Sequence, residues 1–325
     1  FGSRLVWLSI TEHTVVHQKA MGQSFGDLNG SYHVEDVKLG EGSFGQVWRA
    51  VDRSTGEIVA VKKLDRSKVG PGRESSDLAH EVLIMQKVSH DNVLKLIGEY
   101  EDATHISVVL EYCDGGDFSE KLRERPEQPK GPCEFVAANW MNQISSAIAA
   151  LHAANIVHRD VKPKNFMLSR GILKLADFGI AQLLPQNGVL FQKCGTPGFM
   201  APEQHMLPMG EGYSLPVDMW AAGIVLYMMR NCGRHPLMVD GKLNRQALMQ
   251  RKPSFRPKEG VWNAKTIHSL CMPPAKQRDA KHREEKGVKK ERRSSATERE
   301  IGSGMRGVED LLDSLLTPDQ HMRTS

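Results

Sequence analysis

No apolar run in these 325 residues approaches the ~20 needed to cross a bilayer. The longest, Met219 to Met229, is stopped by Asp218 and Arg230 and predicts a buried helix. A secretory leader pattern is missing too, since Leu5 to Ile10 is too short for its apolar stretch. The first residue is Phe, so the natural start is expected upstream. Cysteine is scarce: five residues and no CxxC pair. That disfavours a zinc site and a disulfide framework, and fits a reducing cytoplasmic or nuclear compartment. Charge of one sign is not in excess over the globular part. The formal net charge is +4, and Lys276 to Glu300 alone hold ten Lys/Arg against six Asp/Glu. The remainder is near neutral, so no nucleic-acid-binding surface is expected. One further absence is local. Between Asp177 and Thr196 there is no Ser, Thr or Tyr, and no Asp or Glu.

What is present reads as a strand-rich half followed by a larger helical half. The chain is 40% hydrophobic and 25% charged, ordinary for a globular protein. Tyr32 to Leu39, Gln46 to Val51, Ile58 to Leu64 and Ile106 to Leu110 carry strand-like patterns. Asp77 to Val88 is predicted helical, with Leu78, Val82, Met85 and Val88 on one face. Phe135 to Ala154 is predicted as a long helix, with Trp140, Ile144, Ile148 and Leu151 in register. Gly26 to Ser31 has loop composition. Residues 274–303 hold almost no large apolar side chains, so they read as a disordered basic insertion. Helical character resumes at Val308 to Leu316.

Four motifs carry chemistry. Gly40-Glu41-Gly42-Ser43-Phe44-Gly45-Gln46-Val47 matches GxGxxGxV. Alone it is weak, because a dinucleotide fold or a plain hairpin turn would serve as well. Here it leads into a strand rather than a helix, so its amides could cover phosphates as a flap. Val59-Ala60-Val61-Lys62 ends an apolar strand on a cation that needs an anionic partner. ATP phosphates and Glu81 are the candidates; the plain alternative is a lysine reaching for water. His158-Arg159-Asp160-Val161-Lys162-Pro163-Lys164-Asn165 is the most specific stretch. Asp160 could orient an acceptor hydroxyl, Lys162 could neutralise a transferring phosphoryl group, and Asn165 could bind a metal ion. Asp177-Phe178-Gly179 offers a second metal ligand. Hard oxygen ligands for Mg²⁺, cations at phosphate and one carboxylate at the acceptor are what phosphoryl transfer needs.

In that order, with Ala201-Pro202-Glu203 following, the sequence resembles a eukaryotic-type serine/threonine protein kinase over about Tyr32 to Ser325. The resemblance implies an α+β, bilobal fold: an extension over 1–31, an antiparallel sheet lobe with one helix over 32–111, and a mainly helical lobe over 112–325. That second lobe would carry the insertion and stop short of the family's last helix. ATP and Mg²⁺ are the implied cofactors, and a protein the implied substrate. Leu110 would be the gatekeeper. Glu111, Tyr112 and Cys113 would form the hinge, and Asp117 would contact ribose. Val47, Ala60 and Met167 would sandwich adenine. Met85, Leu96, His158 and Phe178 would stack, anchored by Asp218, and Glu203 would pair with Arg323. Thr196 is expected to contact Asp160 and Lys162. Gly195-Thr196-Pro197 and Lys162 resemble the serine/threonine branch. Asn165-Phe166-Met167 and Arg251-Lys252-Pro253-Ser254-Phe255 are similar to calmodulin-kinase and calcium-dependent-kinase sequences. No EF-hand pattern occurs, so calcium control would reside outside this chain.

The chain departs from that family pattern in two ways. Arg159 usually meets an activation-loop phosphate, and Gln192 stands where that residue is expected. Order without phosphate is expected from packing of Leu183, Leu184, Val189, Leu190 and Phe191; the alternative is disorder until a partner binds. Lys164 and Met228 stand where arginine-selecting relatives carry carboxylates, so basic residues upstream of the acceptor should be disfavoured. In the insertion, Ser295 follows Arg292-Arg293 and could be the target of an upstream basophilic kinase. Lys289 to Arg293 could act in nuclear import; a solvated charge run is the plain alternative. A catalytically silent scaffold is the alternative function, and the full set of phosphate-handling residues weighs against it. A small-molecule kinase is disfavoured by the stretch from Gly195 to Glu203.

Overall fold

The computed structural model describes residues 27–42, 45–66, 74–123, 134–249 and 315–316. Ser43, the segment 274–303 with Ser295, Arg323 and most of the extension lie outside them. The chain divides into two compact units. One is Phe1–Leu78 with Leu96–Tyr112, and the other is Ala79–Lys95 with Cys113–Ser325.

The first unit is a five-stranded antiparallel sheet. Its strands are β1 (Tyr32–Gly42), β2 (Gly45–Asp52), β3 (Ile58–Asp65), β4 (Leu96–Glu101) and β5 (His105–Glu111), in the order β1-β2-β3-β5-β4. Side chains alternate across a strand, and that alternation sorts β3. Val59 and Val61 bury with Ala50 and Val109 in a cluster closed by Leu28 and Tyr32. Tyr32 meets Tyr100 edge-on, ring centroids 5.7 Å apart. Leu28 belongs to a single helical turn, α1 (Leu28–Ser31), where a loop was expected. The difference comes from Asp27, whose Oδ1 accepts the Asn29 N–H at 3.0 Å and caps the turn. Ala60 and Lys62 take the opposite face of β3. Val47 pairs with Lys62 and Leu110 with Ala60, so all four share that face.

Across β1 and β2 the Gly-rich stretch places Gly40 opposite Val47, Glu41 opposite Gln46 and Gly42 opposite Gly45. Gly45 is required by proximity. A Cβ there would lie 2.2 Å from the Lys63 carbonyl oxygen.

Helix α2 (Glu74–Gln86) buries Leu78, Val82 and Met85 as its spacing predicts, and Glu81 with them at 6% exposure. The second unit is mainly helical: α3 (Phe118–Arg123), α4 (Glu134–Ala153), α5 (Pro202–His205), α6 (Pro216–Arg230) and α7 (Arg245–Met249). Two-stranded ribbons interleave them: β6 (Ile156–Val157) with β9 (Gln182–Leu183), β7 (Phe166–Ser169) with β8 (Ile172–Leu175), and β10 (Met238–Val239) with β11 (Lys242–Leu243). Ile144, Ile148 and Leu151 of α4 are at most 1% exposed, each worth about 1.5–3 kcal/mol of burial. α4 packs on α6 and on β8. α6 is apolar on all sides and therefore buried. Leu315 and Leu316 lie over its Gly223, where a Cβ would meet them at 2.8–2.9 Å.

The β7–β8 hairpin turns on Arg170 (φ 49) and Gly171 (φ 81), the two positive φ values that a tight hairpin of this twist needs. Among the described residues no helix is long and apolar enough to cross a membrane.

Candidate active site

Residues 158–165 run between β6 and β7, and one carboxylate fixes their start. Asp218, in the first turn of α6, is 1% exposed. Its Oδ2 accepts the His158 N–H and its Oδ1 the Arg159 N–H, each at 2.9 Å. His152 Nε2–H donates to Oδ2 at 3.0 Å. Burial alone would push this carboxyl up, but the His152 and His158 donors outweigh it and hold it below the usual range. Arg159 sits at φ 68, a left-handed conformation that a non-glycine residue keeps only when its surroundings impose it. The His158 ring is fixed on both sides. Nδ1 accepts the Asp160 N–H at 3.3 Å, and Nε2–H donates to the Ala176 carbonyl at 3.1 Å. Phe178 meets the ring edge-on at 5.2 Å.

Asp160 is the centre of the cluster. Lys162 Nζ donates to its Oδ2 at 2.6 Å. Thr196 donates to its Oδ1 twice, from N–H at 3.0 Å and from Oγ1 at 2.7 Å. Lys162 Nζ also reaches Thr196 Oγ1 at 2.8 Å. Burial pushes the Asp160 carboxyl up, yet the Lys162 and Thr196 hydrogen bonds and the Lys162 charge bring it below its ordinary value. Gly195 permits the approach: it sits at φ 108, and a Cβ would lie 2.6 Å from the Arg159 carbonyl oxygen.

The two metal candidates are neighbours through the backbone. Asn165, in a 3₁₀ turn at Pro163–Asn165, donates from Nδ2 to Asp160 O at 2.9 Å and Oδ2 at 3.1 Å. Its amide hydrogens are thereby aimed at Asp160, which leaves Oδ1 as its available oxygen. The Ala176 N–H donates to the Asn165 carbonyl at 2.8 Å, so Asp177 follows directly on a residue bonded to Asn165. Asp177 is exposed, with φ 63. Among the described residues no group of three or more His, Cys, Asp or Glu forms a metal cage. An amide oxygen and a carboxylate are hard donors, the kind that Mg²⁺ takes.

The remaining candidates fall in both units. Lys62, Val47 and Ala60 are on the sheet face described above, and Glu111 ends β5 opposite Val59. Cys113, half-buried, begins the longer stretch of the second unit. Asp117 bridges to Met167, flanked by a Gly115 N–H to Leu168 O bond of 2.9 Å. Its Oδ1 is already engaged, since it accepts the Ser119 and Glu120 N–H groups and caps α3.

A family profile described as protein kinase domain matches residues 32–325. The chain belongs to the protein kinase family. The kinase domain is of the eukaryotic serine/threonine type, as three relatives indicate. Serine/threonine-protein kinase DCLK3 of Mus musculus is 37% identical over 215 residues, 65% of this chain and 26% of that protein. Calcium-dependent protein kinase 5 of Plasmodium berghei (strain Anka) is 31% identical over 271 residues, 80% of this chain and 46% of that protein. Serine/threonine-protein kinase ATG1b of Arabidopsis thaliana is 35% identical over 228 residues, 69% of this chain and 30% of that protein. The kinase chain thus spans less than half the length of these relatives.

Some kinase residues that shape this site have no signal in the sequence. His80 Nε2–H donates to the Ala181 carbonyl at 2.9 Å, tying α2 to the segment after Asp177. Asn92 and Gln143 brace the β7–β8 hairpin through Leu173, at 3.0 and 2.8 Å. His235 stacks edge-on against Phe199 at 5.1 Å, beside Gly198.

Gly195→Ala is expected to push Thr196 off Asp160 and slow phosphoryl transfer by about tenfold or more, the worth of a charge-assisted hydrogen bond. Steady-state rates at saturating ATP check this; an unchanged rate would make the Thr196 contact dispensable. A second expectation concerns acid. Burial pushes His235 down to about 4, so the folded chain keeps it neutral while the unfolded chain binds a proton below 6.5. Its contribution to stability is therefore lost as pH falls from 6.5 toward 4. Asp160 and Asp218, held below 3.8, add to the loss only below that value. His235→Asn keeps an acceptor for the Leu237 N–H and should flatten the decline in melting temperature across the 6.5-to-4 window.

Proposed function

We propose that this protein transfers the γ-phosphoryl group of ATP to serine or threonine hydroxyls of protein substrates. One observation carries the reading: Asp160, Lys162, Thr196 and Asn165 form a single hydrogen-bonded cluster, with Asp177 one residue beyond a backbone bond to Asn165. Asn165 Oδ1 and the Asp177 carboxylate would hold Mg²⁺. When bound, that ion offsets phosphate charge. Lys62, with Glu81 as its carboxylate, would position the phosphates, and Gly40, Glu41, Gly42, Ser43 and Gly45 would cover them. Val47, Ala60 and Met167 would pack on adenine. The backbone of Glu111 and Cys113 would bond its edge, and Asp117 would reach ribose through Oδ2, since Oδ1 caps α3. Asp160 orients the acceptor hydroxyl. The hydroxyl oxygen bonds to the γ-phosphorus as the bridging P–O bond to the β-phosphate breaks. ADP leaves with that electron pair, and the hydroxyl proton passes to Asp160. Lys162, bonded to both Asp160 and Thr196, steadies the charge of the transferring group.

Lys164 is exposed on the 3₁₀ turn and Met228 is half-buried, with no carboxylate at either position. That supports a substrate preference against arginine upstream of the acceptor. The scarcity of cysteine, five in 325 residues without a CxxC pair, supports a reducing cytoplasmic or nuclear compartment. Calcium control, carried in one relative's name, would be exerted through a region other than the kinase domain.

The test is a degenerate peptide library with radiolabelled Mg·ATP, run with and without calcium. Wild type should label serine and threonine peptides poor in upstream arginine. Asp160→Asn and Asp177→Ala should each lose about 100-fold or more. EDTA should abolish labelling. A chain that labels nothing in either condition supports the silent scaffold instead. For Ser295, a basophilic kinase should phosphorylate the full chain, with Ser295→Ala resisting; equal labelling of both would remove the proposed site.

A further inference from the structure

Arg159 is 7% exposed, so its cation is withdrawn from water. A buried cation needs a complete set of acceptors or an anion. Its Nε–H donates to the Ile180 carbonyl at 2.6 Å, and Nη1–H reaches Gln192 Oε1 at 3.1 Å and the Tyr213 hydroxyl at 3.2 Å. All three acceptors are neutral. The Tyr213 hydroxyl donates its own proton to the Gln192 carbonyl at 2.6 Å. Burial, partly opposed by Arg159, keeps that phenol neutral, pushed up to about 12. The same tyrosine is tied to the segment by two reciprocal backbone bonds with Leu190, at 2.8 and 2.9 Å. Gly212 lets the strands close: a Cβ there would lie 2.3 Å from Val189 Cγ1.

Neither a phosphate nor a carboxylate can come from this stretch. Residues 178–195 contain no Ser, Thr, Tyr, Asp or Glu. Thr196 follows, but its hydroxyl is taken up by Asp160 and Lys162. The expected apolar packing is only part of the account, since Leu190 is buried but Phe191 is 59% exposed.

We propose that Gln192 and Tyr213 are positioning residues. They hold Arg159, and through it Asp160 and residues 177–196, in working geometry with no phosphate on the segment. This rests on the kinase reading above. Arg159 links the parts directly: its backbone precedes Asp160, its N–H is fixed by Asp218, and its guanidinium gathers Ile180, Gln192 and Tyr213.

The experiment measures kcat and KM for ATP on the full chain, using the degenerate peptide pool and ADP release. Wild type is assayed before and after phosphatase treatment, with intact mass to count phosphates. Phosphate-free wild type should keep its full rate. Gln192→Leu and Tyr213→Phe should each lower kcat about tenfold with KM for ATP unchanged, the loss of one hydrogen bond to a charged group. Gln192→Glu, which restores an acceptor, should recover the wild-type rate. Amide exchange at Leu190 and Tyr213 should quicken in Gln192→Leu and not in Gln192→Glu. Loss of activity on dephosphorylation would overturn the proposal. So would a Gln192→Leu enzyme equal to wild type, or Gln192→Glu no better than Gln192→Leu. Wild type releasing no ADP at all would sink the kinase reading instead, and is thereby told apart.

Discussion

A carboxylate at 1% exposure in the apolar first turn of a helix is costly, and Asp218 is held there by what it accepts. Three donors from two segments converge on its two oxygens. The partial positive charge at the start of α6 favours it further. In return, the backbone of His158 and Arg159 can go only one way. Removing the carboxylate would strand two buried N–H groups and release the left-handed turn at Arg159. The rest of the site depends on this. From the fixed His158 a bond runs to the Asp160 N–H and another to Ala176, whose own N–H reaches Asn165. One carboxylate therefore sets the backbone positions of Asp160, of Asn165 and of the residue before Asp177.

Local pattern recovered the strands and helices whose burial is one-sided or complete. β3 and β5 are short and rich in Val, and α2, α4 and α6 show helical spacing or continuous apolarity; each lies within a few residues of its expected limits. β4 was not legible. Leu96-Ile97-Gly98-Glu99-Tyr100-Glu101 is an edge strand with a register shift between Leu96 and Gly98, and its alternation is broken by glycine and charge. The cluster was legible where chemistry constrains residue type, at Asp160, Lys162, Asn165 and Thr196, which the fold joins by hydrogen bonds. It was illegible where support comes from distant polar side chains. His80 meets Ala181 across 101 positions and Asn92 meets Leu173 across 81, and no local rule marks such a residue before the chain is folded.

Tyr213 is the clearest such case. In sequence it is a tyrosine after Gly212 with nothing to distinguish it. In the fold it is 1% exposed and bonds to the Leu190 backbone, to Gln192 and to Arg159. The family resemblance implies that Gln192 stands where a charged group usually meets Arg159. No local pattern marks what else meets the Arg159 guanidinium. In the fold Gln192 is not alone: the tyrosine shares the guanidinium and bonds to the glutamine's backbone carbonyl.

A neutral acceptor set and an anion differ in more than strength. An anion next to a buried cation gains Coulomb energy, but both charges must lose their water, and the net gain is often small. Gln192 and Tyr213 carry no charge to desolvate, and a hydrogen bond from a cation to a neutral oxygen is neither created nor removed by another enzyme. It also does not titrate across the physiological range, and salt screens it little because the group is buried. Arg159 is thus held by groups that are present in every copy of the chain at all times. On the proposal made above, order in residues 177–196 follows from folding itself.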